Sequence, residues 1–391
     1  MNTFDVAIVG GGIIGGSIAF ELAAEKLSVI VLDRQQPGRE ASWAAAGMLS
    51  PAPDSPRDIP LVPLSKESLR IYPEFVGAIE DASGQSTGYA RGTTLQIFAG
   101  SRGETERDRV VAEHREFGIA SEPISLEAAR GEEESIGPTA RAIAHLPEEG
   151  TVEPRLLMEA VLAAARNRGV QMRPDCGVTS VQFERNRCTG VVAGGERIAA
   201  KQVIVAAGCF SAGIDRNADL IARCACTRPV RGQMLALRLA GLRLRHVLRG
   251  ERGYLVPRAD GRIVAGSTLE NADFEKCVTP AGMMQILDAA LELCPGLAGA
   301  EVLDTWSGLR PGTPDDLPIL GPAEMEGLIV ATGHYRNGIL LSAVTAKLVR
   351  DWVMQGRTTF DAGAFSPMRF SDHQSEAGVR DALRRSPDGS S

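Results

Sequence analysis

"DVAIVGGGIIGGSIAFELAAEKLSVIVLD", residues 5–33, decides how the rest of the chain is read. Its two ends, "DVAIVG" (5–10) and "SVIVLD" (28–33), are short and nearly continuous apolar runs. Such runs read as strands of a parallel sheet covered on both faces. Between them "GGIIGG" (11–16) makes a tight turn and "SIAFELAAEK" (17–26) a helix. Gly10, Gly12 and Gly15 keep the spacing G-x-G-x-x-G, and Asp33 ends the second strand, 33 − 15 = 18 residues after the last of them. In this setting the first glycine permits the turn and the second lets the backbone approach a pyrophosphate. The third lets helix and strand touch, while the helix N-terminus stabilises phosphate charge. Asp33 is placed to accept hydrogen bonds from a ribose hydroxyl. The stretch predicts a bound dinucleotide. NAD and FAD both remain open, with a lean toward FAD because no second turn of this kind follows.

Other apolar strands that stop at glycine lie far away, in "VIVAAGCFS" (203–211) and "GLIVATG" (327–333). Helices are expected at about 64–82, 153–169 and 279–294, and β-like segments at 88–100 and through 228–270. The pattern predicts an α/β protein. A Rossmann-like nucleotide-binding domain is built from residues 1–85, 150–215 and 305–365. A β-rich (α+β) substrate domain, 86–149 and 216–304, is inserted between those pieces. Residues 366–391 lack apolar periodicity and read as a flexible tail. "RLRHVLR" (243–249) reads as a solvated strand face, with a site for an anionic partner as the other reading.

Composition removes several functions. A net charge of −7 over 391 residues leaves no basic excess for nucleic-acid phosphates, and 5% aromatics is too few for base-stacking platforms. Seven cysteines are scattered without a CxxC pair, and "CAC" (224–226) has no partner pair, so no metal site is expected and the thiols should be reduced. The N-terminus lacks the basic and cleavage features of a signal peptide, and no run of 18 apolar residues occurs. A soluble cytoplasmic protein is expected.

The stretch after "GLIVATG" is the least expected. His334, Tyr335, Arg336 and Asn337 precede "GILLSAVTAKLVRDWV" (338–353), an apolar helix. A helix start leaves amide N–H groups unpaired, with partial positive charge, so an anionic or electron-rich group belongs there.

Four stretches taken together, "VAIVGGGIIGGSIAFELA" (6–23), "ASWAAAGMLSP" (41–51), "WSGLRPGTPDDLPILG" (306–321) and "ATGHYRNGILLSA" (331–343), resemble the D-amino-acid oxidase-like FAD oxidoreductases. Within that group they look most like the glycine oxidases of thiamine biosynthesis. The resemblance, from about residue 4 to 360, implies a noncovalent FAD and oxidation of glycine, sarcosine, D-alanine or similar amines to imines. Oxygen would be reduced to hydrogen peroxide, and the imine would supply thiazole synthesis. A D-amino-acid or sarcosine dehydrogenase that passes electrons to a quinone is the alternative. By position, the resemblance assigns Ile13 and Ile14 to the dinucleotide turn and Asp33 and Arg34 to the ribose. Ala41, Ser42, Ala46, Gly47 and Met48 would run along the flavin, and Val178 would meet the adenine side. His334, Tyr335, Arg336, Asn337, Gly338, Ile339 and Leu340 would close on the flavin ring. Arg310 and Arg336 would bind substrate, and Tyr254 would stand above the flavin. Leu269 occupies a position where methionine often lines the glycine oxidase pocket. A homo-oligomer, a tetramer by the same resemblance, is expected.

Overall fold

Main-chain pairing divides the chain between two eight-stranded sheets and a three-stranded one; the computed structural model describes residues 3–92, 94–214 and 219–370. In the first sheet, Gln171–Arg173, Val29–Leu32, Phe4–Val9, Glu196–Val205 and Leu328–Thr332 run parallel in that spatial order. Ile319–Pro322 closes one edge antiparallel. From Phe4–Val9 the chain's partners lie on one side in sequence order and on the other after long crossovers. The carboxyl ends of the strands therefore frame a crevice at this switch point, where α/β sheets bind ligands. Gly10, Asp33, Ala206 and Gly333 all follow those strand ends. A hairpin of Val178–Glu184 and Arg187–Ala193 extends the sheet along the first half of Glu196–Val205. Its polar outer residues give little apolar signal, and the sequence analysis did not mark it.

The helix Ile13–Ala24 is buried on almost every side, which small residues make possible. A Cβ at Gly15 would overlap the Gly10 carbonyl oxygen, and one at Gly16 would lie 3.0 Å from Val161 Cγ1 on the helix Pro154–Asn167. The 22-residue helix Val62–Ser83 anchors a distant element. Ser68 Oγ donates to the Leu340 carbonyl at 2.6 Å and Tyr72 Oη to that of Ile339 at 3.0 Å. Both acceptors belong to the first turn of the helix Gly338–Gln355, so its start is held in place from outside.

The second sheet runs in the order Glu301–Gly312, Arg228–Arg238, Ile263–Gly266, Tyr254–Pro257, Val247–Arg249, Thr94–Ala99, Ala140–Leu146, Glu122–Ile124. It is antiparallel except where Val247–Arg249 meets Thr94–Ala99. Ile286, Ala290 and Leu293 of the helix Pro280–Leu293 share a core with Leu235 and Leu255 of this sheet. The architecture is the expected α/β sheet with a β-rich companion. Three expectations need correction. Glu301–Gly312 belongs to the second sheet by its ladder with Arg228–Arg238, so a boundary at 305 cuts a strand. Residues 366–370 are anchored: Arg369 pairs with Asp315 at 2.8 Å and donates to the Leu317 carbonyl at 3.0 Å. The rest of the expected tail, 371–391, lies outside the described residues. Residues 247–249 of "RLRHVLR" lie in mid-sheet, with Val247 and Leu248 fully buried, and are no solvated face.

Arg258, just past Tyr254–Pro257, joins the sheets. Its Nη2 donates to the Ala46 carbonyl at 2.6 Å and its Nη1 to that of Val152 at 2.9 Å. Its Nε lies 3.0 Å from Glu153 Oε2 but off the hydrogen-bonding axis, an ion pair rather than a hydrogen bond.

Gly15→Ala tests the contact on which the turn is built. The added methyl meets main chain, which cannot swing aside, so a loss of roughly 1–3 kcal/mol or more is expected. Thermal unfolding would show it, and an unchanged melting temperature would refute the tight packing assigned to Gly15.

Candidate active site

A cavity of about 970 Å³ lies between the two sheets, at the upper end of the roughly 300–1,000 Å³ typical of cofactor sites. At one end it is lined by Gly10, Gly12, Ile13 and Ile14 of the turn, with Asp33, Arg34 and Val178 beside them. Ala41, Ser42, Ala46, Gly47 and Met48 form a side wall, and Tyr254, Arg310 and residues 334–339 line the far end. Two of the expected cofactor residues are not on the wall. Gly15 works by packing against Gly10, as its spacing implied. Leu340 is 1% exposed and faces the core with its carbonyl bound by Ser68; one helical position past Ile339 turns it inward. Leu269, the expected pocket residue, is 59% exposed and off the cavity wall. It lies past the end of the strand Ile263–Gly266, where its neighbour Thr268 is buried and Leu269 is left to solvent.

The phosphate end is built from backbone. Gly10 has φ 103° and a Cβ there would lie 2.5 Å from the Ala206 carbonyl oxygen, so only glycine fits. Asp33 accepts from the Gly11 N–H at 2.7 Å and the Gln35 N–H at 3.0 Å. Burial raises its carboxyl pKa above the usual value, and those two N–H groups oppose the shift. Ser42 Oγ accepts from the Ile13 N–H at 2.9 Å, where the helix start attracts an oxygen. Within the turn, a Cβ on Gly12 would meet only this Ser42 oxygen, at 3.2 Å, so the wall admits a close ligand. These features fit the pyrophosphate and ribose of a dinucleotide. Arg34 lies 3.4 Å over the Phe210 ring and pairs with Glu40 at 2.6 Å; Phe210 stacks on Phe274 at 5.2 Å. Neither phenylalanine carried a signal in the sequence, because the second comes from the other sheet's side of the chain.

At the far end the antiparallel sheet presents its face. Tyr254, Gly266, Met234 and Trp306 lie opposite one another across four strands, so their side chains share that face. Arg310, two places along from Gly308, folds across Gly232, where any Cβ would overlap its guanidinium. Its Nη2 donates to Ser267 Oγ at 2.8 Å and its Nη1 to the Thr268 carbonyl at 3.2 Å. No carboxylate pairs with it among the described residues. Burial lowers its pKa from the ordinary arginine value, as expected when a cation is drawn from water without a counterion. Tyr254 Oη lies 3.9 Å from Met234 Sδ, a weak contact. Arg336 differs from Arg310: it is exposed and pairs with Asp54 at 3.0 Å, both at the cavity wall. His334 contributes main chain to the wall, while its ring is buried with Nε2 3.0 Å from Thr345 Oγ1. Desolvation pushes its pKa down to about 3, so the ring is neutral.

The geometry combines a dinucleotide cradle, a buried cation without a counterion and a helix start aimed at the same space. Among the described residues, no cluster of acidic, histidine or cysteine side chains could hold a metal ion, and no helix is long and apolar enough to cross a membrane.

Comparisons with known proteins agree with that arrangement. The sequence profile of the DAO family, described as FAD dependent oxidoreductase, matches residues 5–352. The glycine oxidase of Geobacillus kaustophilus is 33% identical over 97% of this chain and 99% of its own length. Its kind is also met in a crystal structure of glycine oxidase from Geobacillus kaustophilus, with a TM-score of 0.87 at 31% identity, covering 94% of this chain and 99% of that one. The bifunctional protein ThiO/ThiG of Synechocystis is 35% identical over 94% of this chain; the chain spans about half, 54%, of that relative's length.

The depressed His334 pKa has a consequence for acid stability. Its folded-state value, about 3, lies below the unfolded value near 6.5, so the unfolded chain takes the proton first as pH falls. Stability from neutral His334 is present above about pH 6.5 and is lost progressively toward about pH 3. In a His334→Gln variant the loss between pH 7 and 5, followed by urea unfolding, should be smaller by about 2 kcal/mol. Equal losses in variant and wild type would mean that the ring is not desolvated.

Proposed function

The chain belongs to the DAO family of FAD-dependent oxidoreductases, and within it we propose an oxidase of glycine and other small amines such as sarcosine and D-alanine. The amine is converted to the imine and oxygen to hydrogen peroxide, two electrons and two protons passing from one to the other. The observation that carries this reading is Arg310, a cation in the cavity wall with no carboxylate partner among the described residues. A buried charge in that state is costly, and the carboxylate of an amino acid is the group that relieves it. A guanidinium has five N–H donors, and among the described residues only two protein acceptors, Thr268 and Ser267, take any from Arg310. The others are available for two parallel charge-assisted bonds, which fix orientation as well as distance.

Tyr254 offers a phenolic donor beside that guanidinium, since its only such contact among the described residues is the weak one to Met234. Bound FAD supplies the acceptor for the Cα hydrogen and its electron pair, chemistry outside the reach of side chains. The chain contributes position and field. The first N–H groups of the helix Gly338–Gln355 reach the cavity through Gly338 and Ile339, and their partial positive charge favours negative charge there. Ser68 and Tyr72, which hold this helix start, make that field permanent. No side-chain base is required when the amine enters neutral, and His334 is too buried to act as one. Arg336, paired with Asp54 at the wall, is suited to admitting substrate rather than clamping it. Supply of the imine to thiamine thiazole synthesis extends the proposal, in keeping with the resemblance to ThiO/ThiG.

Anaerobic glycine should bleach the oxidised flavin spectrum, and in air one hydrogen peroxide should appear per glycine consumed. Bleaching without peroxide would replace the oxidase with a dehydrogenase that uses another acceptor; no bleaching by any small amino acid would end the reading. Arg310→Leu should retain FAD and lose about 2–5 kcal/mol of substrate binding, at least roughly 30-fold in kcat/KM. Unchanged kcat/KM for glycine in this variant would remove Arg310 from the site.

A further inference from the structure

A second guanidinium faces the same cavity. Arg249 ends the strand Val247–Arg249 directly opposite Tyr254, which lies opposite Gly266. Opposed residues share a sheet face, and Arg249 and Tyr254 both line the cavity. Unlike Arg310, Arg249 is braced from behind. Its Nη1 donates to Ser50 Oγ at 2.9 Å and lies 3.2 and 3.3 Å from the two oxygens of Glu149. Its Nη2 donates to Gln96 Oε1 at 3.1 Å. Glu149 is 3% exposed, off the cavity wall, and takes a further hydrogen bond from Ser50 at 2.5 Å. The brace holds the guanidinium in one orientation.

The three acceptors use both N–H groups of Nη1 and one of Nη2. Of the five donors, Nε–H and the second Nη2 N–H find no protein acceptor among the described residues. Buried donors of this kind are normally satisfied, and Arg249 is only 15% exposed on a wall otherwise suited to substrate. We propose that Arg249 is a specificity-determining residue that binds a second carboxylate on the substrate. The pocket then favours amino acids with a side-chain carboxylate, or glycine carrying an N-carboxymethyl group, over monocarboxylates of the same length. The proposal rests on the reading of Arg310 as the clamp for the first carboxylate. The Arg249–Glu149 pair is neutral as a whole, so selectivity comes from aimed donors rather than net charge. Glu251 and Arg252 also line this end, but both are exposed and of opposite sign, and solvent screens them.

The test uses ligands that cannot be oxidised. Holoenzyme is titrated with succinate and with butyrate, following the melting temperature and the visible flavin spectrum. Succinate should bind at least about tenfold more tightly, the equivalent of one good hydrogen-bonded charge contact. In the double variant Arg249→Met with Glu149→Gln, which removes both buried charges together, the ratio should fall to near one. Equal affinities in the wild type overturn the proposal without need of any variant, as does a ratio that survives the double replacement. Arg310→Leu separates the two readings. Loss of both ligands there supports the clamp, whereas retention of both overturns the reading of Arg310 and with it the two-carboxylate pocket.

Discussion

Arg258 sets the separation of the cavity's walls. It leaves the antiparallel sheet one residue after the strand that carries Tyr254 and donates to main-chain carbonyls at Ala46 and Val152. Ala46 belongs to the side wall and Val152 precedes the helix Pro154–Asn167 that supports Ile13–Ala24. Pairing with Glu153 keeps this buried charge in place. Carbonyl acceptors have fixed positions, so the guanidinium ties the end of one sheet to main chain on the side wall and ahead of the helix Pro154–Asn167.

The cavity is then asymmetric in charge. At the phosphate end the wall offers neutral backbone N–H groups and a helix start, and its acids are tied: Asp33 to two N–H groups and Glu40 to Arg34. At the far end three arginines stand in three states: Arg310 without a carboxylate, Arg249 braced by Glu149, and Arg336 paired with Asp54 in solvent. Burial rather than sequence separates these states, because the same side chain carries a costly charge when desolvated and a screened surface charge when wet. The helix Gly338–Gln355 adds a fixed dipole at the far end. Its apolar body packs on Ile13–Ala24 and Val62–Ser83, so the element that shapes the field is also part of the core.

Much of this was legible in residue order. Turn, strand and acid at 5–33 follow local rules: glycine for a positive φ or a close approach, apolar runs for a strand covered on both sides. The family resemblance singled out Arg310 in "GLRPGT", the loop after Gly333 in "GHYRNGILLSA" and, by position, Tyr254. What failed did so for physical reasons. Leu269 was expected in the pocket, but it lies past the end of the strand Ile263–Gly266 with its side chain in solvent, beside buried Thr268. Leu340 was expected at the cofactor, but helical periodicity turns it into the core. Arg249 was part of a charged run read as a wet face, because nothing local reveals that Glu149, a hundred residues earlier, lies beneath it.

Sequence alone therefore determined the parallel sheet and the dinucleotide turn, since these depend on spacing within a few tens of residues and on backbone freedom, while Arg310 and Arg336 were singled out only by the family resemblance. Only the tertiary structure decided which arginine lacks a counterion, which is braced and which meets water. Those states depend on burial and on partners brought together from distant segments, and a charge has no fixed energy until its surroundings are assembled.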